Sequence, residues 1–463
     1  MAEKPEAVVD AINSKKMKKI TTILVTFLSL ASFSQEKDTT EVVYKKRVLE
    51  NIEVDFLASY YKQDGKHSAV SGGIGSEKLT DITSNIIIAM PLNDDDVLTV
   101  DAGLSAYTSA SSSNINPYDS STFSPWQASS GASAQDALTS VAVNYSHSSD
   151  DRNFIWNADV SFSNEYDYTS IGFGGGISKL FNNKNTEISL KANAYLDQWR
   201  PIYPKELAGN FGGFTIFDQS GSPSLGYSPS NFSEWDKTNR NSYSVSLGFS
   251  QVATRKMQFS LFLDILHQEG MLSTPYQRVY FADKANYYVG QPSNIPVYQT
   301  TQNNGVYQLA DDIERLPGTR FKIPVGARLN YYLNERLTLR TYYRYYWDDW
   351  GITSHTASIE IPIKLSDKFT VYPTYRYYTQ QKSKYFAPYE THLSTEKFYT
   401  SDYDLSSFNA NQYGFGMSYT DIFTNAKIWN FGLKNIDLRF NHYDRNDGLK
   451  ANIVTFGIKF VVQ

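Results

Sequence analysis

Five arginines carry the first chemical signal. Arg328, Arg336, Arg340, Arg344 and Arg376 recur at even spacings, with Tyr342, Tyr346, Tyr372 and Tyr378 between them. Even spacing puts side chains on one face of a β-strand. A guanidinium there offers a planar fork to a carboxylate or phosphate. Earlier in the chain Asp101, Asp159, Asp197 and Asp264 take the corresponding positions. If both sets line one water-filled interior, they occupy different walls. They would then act as a transverse field, or the arginines as a cationic ladder for anionic solutes. The competing reading is structural: opposite charges pair across a narrow or plugged lumen and fill it.

Other candidate chemistry is weaker. Tyr343, Tyr345, Trp347 and Trp350 form an aromatic cluster near an expected strand end. It is read as an interfacial girdle, with sugar stacking as the alternative. The acidic run Asp94, Asp95, Asp96 and the pair Asp402, Asp404 lack the spaced oxygen ligands and glycine of a calcium loop. Six histidines show no metal-ligand spacing, and no GxSxG elbow occurs. The glycines at 172–176 open no helix, so they mark strand curvature rather than a phosphate loop. With no cysteine, disulfides and thiolate chemistry are excluded. No catalytic residue, metal or cofactor is therefore expected, and the chain is not read as an enzyme.

These side chains need strands to position them, and period two runs through most of the chain. Phe321, Ile323, Val325, Ala327 and Leu329 alternate with Arg320, Lys322, Gly326, Arg328 and Asn330. Phe154, Trp156, Ala158, Val160 and Phe162 alternate with Asn157, Asp159 and Ser161. The last run turns Val454, Phe456, Ile458, Phe460 and Val462 to one side. Helical spacing would mix these sets. Short turns near 148–153, 181–186, 253–256, 333–336 and 364–368 alternate with long segments near 110–136, 200–241, 270–319 and 382–409. All the long segments then fall on one side. The expectation is an all-β, transmembrane, antiparallel up-and-down β-barrel over residues 51–463. It has about 16 strands, short periplasmic turns and long extracellular loops. Register is hardest to assign over 62–91.

Composition agrees with a barrel. The 463 residues include 35 Tyr, 27 Phe and 7 Trp, yet mean hydropathy is negative. Many aromatics in a polar chain suit a membrane–water boundary. A net charge of −5 without a basic stripe gives no footprint for nucleic acid. From Met17 the sequence has a lysine pair, an apolar run over 20–30 and small residues before Gln35. That pattern predicts a secretory signal over 17–34, cleaved between Ser34 and Gln35. Residues 1–16 read as an upstream start artefact, and 35–50 as a periplasmic segment. Export followed by strands implies the outer membrane of a Gram-negative bacterium, with its lipids and the barrel-assembly machinery as partners.

Several strings are specific: SGGIGSEKLTDI, DQWRPIYPKEL, RNSYSVSLGFSQV, YYRYYWDDWGITSHTASIEIP, VYPTYRYYTQQKSKYFAPYETH and FYTSDYDLSSFNANQYGFG. Together they resemble the domain of unknown function 3570 family over most of the chain. The resemblance implies an outer-membrane barrel of Bacteroidota, and it brings no catalytic residues. It also points to a small lipoprotein or a periplasmic redox protein as partner. The leading expectation is a porin-like channel for small hydrophilic solutes, anions among them. The alternatives are a closed scaffold that docks such a partner, and a barrel enzyme acting on lipid or surface polymer.

Overall fold

The computed structural model describes residues 47–108, 135–204, 206–207, 215–224, 226–229, 232–236, 238–297 and 305–462. The expected signal sequence, with Ser34 and Gln35, lies outside them. So does most of the expected long segment 110–136.

Sixteen long strands follow one another. They are β1 (Glu53–Asp64), β2 (Leu79–Pro91), β3 (Asp96–Thr108), β4 (Gln135–Ser148), β5 (Phe154–Asn164), β6 (Tyr168–Phe181), β7 (Thr186–Trp199) and β8 (Arg240–Thr254). Next come β9 (Met257–Gly270), β10 (Thr319–Asn334), β11 (Leu337–Asp348) and β12 (Thr353–Glu360, resumed at Ile363–Lys364). The last are β13 (Phe369–Gln380), β14 (Phe408–Thr420), β15 (Phe431–Arg445) and β16 (Lys450–Val462). Each pairs antiparallel with the next, and β16 returns to β1 from Glu53↔Val461 to Asp64↔Lys450. The fold is a closed antiparallel barrel. Closure satisfies every strand's backbone and leaves no edge.

Register turns the alternation into two continuous surfaces. Val160 lies between Val143 and Phe173, and Leu190 between Ile177 and Leu247. These outward side chains stay exposed, Val160 at 47% and Leu247 at 46%. A belt of exposed Val, Leu, Ile and Phe is the surface that hydrocarbon would cover. Leu247→Arg, at the middle of β8, is expected to lower folding stability in lipid vesicles by about 2–4 kcal/mol. Urea titration of folded barrel checks it, and an unchanged midpoint would argue against membrane contact at that position.

Turns are short at one end of the barrel: 92–95, 149–153, 182–185, 255–256, 335–336 and 365–368, with 421–430 longer. Arg336 sits in the tight turn between β10 and β11. This corrects its expected place as the first inward residue of β11, because that strand begins only at Leu337 and Arg336 belongs to the two-residue turn before it. The acidic run at the 92–95 turn is held by basic neighbours, Asp94 by Arg47 and Asp95 by Arg152, while Asp96 meets His147 at 2.6 Å. At the other end lie the long segments 200–239, 271–318 and 381–407, with 65–78 beside them.

Candidate functional site

The inner face follows from contacts across the barrel. Arg439 on β15 reaches Glu360 on β12 at 3.3 Å, and Tyr372 on β13 donates to Asp437 on β15. Neither pair is on neighbouring strands, so these side chains point into the interior. Register carries that face to every other strand. Arg328 aligns with Tyr342, then Ser358, then Arg376, then Gln412. Arg340 aligns with Glu360, and Arg344 with Thr356. All four strand arginines, Arg328, Arg340, Arg344 and Arg376, therefore share the inner wall.

The aspartates lie on the same surface in the other half of the ring. Asp101 aligns with Ile87 and Ala142, and accepts from Asn85 at 3.3 Å. Asp159 aligns with Asn144 and Gly174. A Cβ at Gly174 would overlap the Asp159 carboxylate, so this inward glycine makes room for the charge. Asp197 is buried near the loop end, aligned with Ser170, and Asp264 aligns with Ser246.

The two walls differ in how their charge is neutralised. Arg340 pairs with Glu360 at 2.8 Å; Arg439 pairs with Glu360 and, at 3.0 Å, with Asp437. The structural reading holds for that chain. Arg328 instead lies between the rings of Phe262 and Tyr342, 5.8 and 5.6 Å from their centroids. The buried Nε of Arg344 has no hydrogen-bond partner. Among the described residues, no carboxylate lies within ion-pair distance of Arg328, Arg344 or Arg376.

The long loops build a second structure over the mouth. Among the described residues, most buried apolar side chains are here, not in the barrel wall: Leu207, Tyr280, Ala310 and Ile313 in one cluster, Val279, Phe281 and Tyr399 in another. A single-layer wall around a polar lumen has nothing apolar to pack against inside, whereas stacked loops do. Arg278 ties three of them together. It is fully buried, donates to Glu206 at 2.6 Å and 3.3 Å, and reaches the Val70 carbonyl at 3.2 Å. Tyr307 also donates to Glu206, at 3.1 Å.

This cap engages the inner wall at separate points of the ring. Gln380 at the end of β13 donates to the carbonyls of Asp404 and Ser406. Arg445 at the end of β15 meets Asp404 at 2.6 Å. On β1, Gln63 donates to the Glu77 carbonyl. His67 stacks on Tyr403 at 3.8 Å, joining the 65–78 and 381–407 segments. These anchors lie along one arc of the ring, and the Arg278 junction joins loops that leave β1, β7 and β9, so the cap bridges different sides of the mouth. The pair Asp402 and Asp404, weak as a calcium motif, is part of this attachment.

Trp350 belongs to the cap as well, which corrects its place in the aromatic rim. The four-residue loop after β11 turns it inward against Leu272 and Leu316, under the Arg320 guanidinium at 4.3 Å. Its indole N–H donates to the Thr319 carbonyl. Tyr343, Tyr345 and Trp347 lie on the outer face, where Tyr343 hydrogen-bonds His355 at 2.7 Å.

Three cap carboxyls are pushed up by burial. Glu314 reaches about 8, through burial first and then the Asp402 charge. Asp402 is raised to about 7, by burial and the Asp404 charge. Asp311 rises to about 6, mainly by burial. No group of three or more His, Asp or Glu side chains among the described residues could hold a metal.

A family model described as "Protein of unknown function (DUF3570)" matches residues 23–453. The chain belongs to this family. No curated protein matches the DUF3570 chain. Among solved structures, it is similar to a bacterial polysaccharide outer membrane secretin, with 10% identity and a TM-score of 0.41, covering 89% of this chain and 99% of the other. A Pseudomonas aeruginosa FadL homologue matches with 9% identity and a TM-score of 0.39, over 89% and 90% of the two chains. The Pseudomonas putida toluene transporter TodX matches with 9% identity and a TM-score of 0.36, over 90% of each. Superpositions this loose bring no cargo or mechanism to the DUF3570 barrel.

Proposed function

We propose that this protein is an outer-membrane channel whose lumen favours small hydrophilic anions, with the loop cap controlling entry at its mouth. One observation carries the reading: Arg328, Arg344 and Arg376 share one inner wall with no carboxylate at ion-pair distance among the described residues. Across the ring lie Asp101 on β3 and Asp159 on β5, while Asp264 on β9 borders the arginine wall. Uncompensated charge in a low-dielectric tube concentrates counter-ions and orients polar solutes. The outward apolar belt and the signal-like segment over 17–34 support the outer membrane as location. Its lipids and the assembly machinery are then partners.

The test is the reversal potential of the purified barrel in a planar bilayer under a potassium chloride gradient. The wild type is expected to favour chloride. Arg328→Glu with Arg344→Glu should lower the chloride-to-potassium permeability ratio roughly tenfold. An intact double variant with unchanged selectivity would remove these arginines from the conduction path.

The cap gives a specific reason for a second reading. A buried core bridging the mouth suits a barrel closed until a partner displaces it, such as a lipoprotein or a periplasmic redox protein. A folded but silent barrel that co-purifies with such a protein would favour this reading.

A further inference from the structure

We infer that a recess in the wall between β12 and β15 is a binding subsite for a small carboxylate or phosphate anion. The inference rests on reading the lumen as a route for anions, but binding at the recess does not require conduction.

Two glycines let the neighbouring strands pack closely beside the recess. Gly414 and Gly416 are successive inward positions of β14. A Cβ at Gly416 would overlap the Tyr372 ring, and one at Gly414 would overlap the Asn441 amide and the Thr374 hydroxyl. Tyr372, Thr374 and Asn441 fill the space above these glycines, and beside them lies a cavity of about 210 Å3. At roughly 30 Å3 per water, that holds about seven waters, or one small organic acid.

Most of the polar side chains lining this cavity make no side-chain hydrogen bond among the described residues; Arg439 is an exception. It is bounded by Ser358, Arg376, Gln412, Arg439 and Asn441. Arg376 is exposed to the lumen, and its guanidinium makes no hydrogen bond or ion pair among the described residues. The side chains of Ser358, Gln412 and Asn441 likewise make none. These side chains are open to the lumen, so their hydrogen-bonding groups are available to a solute that enters it. Here hydroxyl, amide and guanidinium groups converge on one space.

Charge selects the sign of the occupant. Arg439 is anchored by Asp437 and Glu360 and lies over the Tyr372 ring at 4.4 Å, so it is fixed in place. Glu360 is shared with Arg340. Across this group, Arg340, Arg376 and Arg439 outnumber Glu360 and Asp437 by one positive charge, and that excess sits on Arg376. A carboxylate or phosphate can accept both arms of the Arg376 fork, with amide donors from Gln412 and Asn441 on its remaining oxygens.

The experiment is titration calorimetry of the full-length folded protein in detergent, with sodium succinate and with inorganic phosphate as probes. The expected result is saturable binding of at least one probe, weakened roughly tenfold or more by Arg376→Gln. Gln412→Leu, on the neighbouring strand, should weaken it several-fold, so either variant can decide the matter if the other fails to fold. No saturable binding of either probe, or unchanged binding in a folded variant, would overturn the subsite. A barrel that binds the probe but passes no current keeps the subsite and rejects the channel. A barrel that conducts but binds neither probe does the reverse.

Discussion

Arg278→Met is expected to loosen the loop cap while the barrel stays folded. Arg278 and Glu206 are both buried, and the guanidinium also bonds the Val70 carbonyl. Three segments distant in sequence (65–78, 200–239 and 271–318) meet at this one cation. Removing the cation leaves the Glu206 carboxylate buried and unpaired, which costs about 3–5 kcal/mol. At about 1.4 kcal/mol per tenfold, the open population should rise by roughly two to three orders of magnitude. Protease cleavage within 271–318 tracks that population when opening is fast. The sixteen-strand ring does not depend on the pair, so heat-modifiable migration of the barrel on gels should persist. Combining Arg278→Met with Glu206→Gln removes both charges and should recover much of the loss. Wild-type resistance in the single variant would mean that the cap is held elsewhere.

The barrel was legible because its signal is local. A period of two needs only neighbouring residues, and one exposed apolar face fixes register strongly. Phe154 to Phe162 and Val454 to Val462 therefore read correctly from the sequence as outward runs. The two misplaced residues both stand where a strand ends. Arg336 reads as the first inward residue of β11, but that strand begins one residue later, at Leu337, and Arg336 stays in the turn. Trp350 follows an aromatic run, but the loop after Asp348 turns it into the cap. Counting by two cannot detect either event, because both depend on where the backbone leaves the sheet.

The cap was not legible, for a different reason. Its core is assembled from residues such as Leu207, Tyr280, Ile313 and Tyr399, which meet only after the ring has closed. No period links them. The available signal was composition: 271–316 contains Met271, Leu272, Val279, Phe281, Val289, Ile295 and Leu309, far more apolar than a solvated loop needs to be. Likewise the inner arginines could be assigned to a face, yet which of them were neutralised depended on strand register for Arg340 and, for Arg439, on a partner three strands away. Glu360 neutralises Arg340 and Arg439 together, and nothing comparable reaches Arg376. The sequence offers no means of telling these arginines apart.

Cap opening should increase as pH rises from about 6 to about 8, and Glu314→Gln should remove most of that increase. The Glu314 carboxyl lies inside the cap, accepting from the Thr400 hydroxyl at 2.5 Å and the Thr274 N–H at 2.8 Å. Burial and the Asp402 charge hold its pKa at about 8, against an ordinary 4.5; Arg240 acts in the opposite direction. The closed cap thus keeps a proton that an open, solvated Glu314 would release. Stabilisation from that proton is complete below the ordinary value and is lost as pH climbs through the folded one. Asp402, at about 7, and Asp311, at about 6, work in the same sense, so the loss begins before Glu314 itself titrates. One proton released on opening corresponds to roughly tenfold in the open population per pH unit. Protection of the 271–318 amides, measured by hydrogen exchange and corrected for intrinsic pH dependence, reads this directly. The glutamine variant keeps the shape and cannot ionise, so its profile should be flatter by about one proton. An equally steep profile in Glu314→Gln would assign the dependence to Asp402 and Asp311 alone. A flat wild-type profile would mean that these carboxyls are solvated in the closed cap, and that the mouth does not respond to pH.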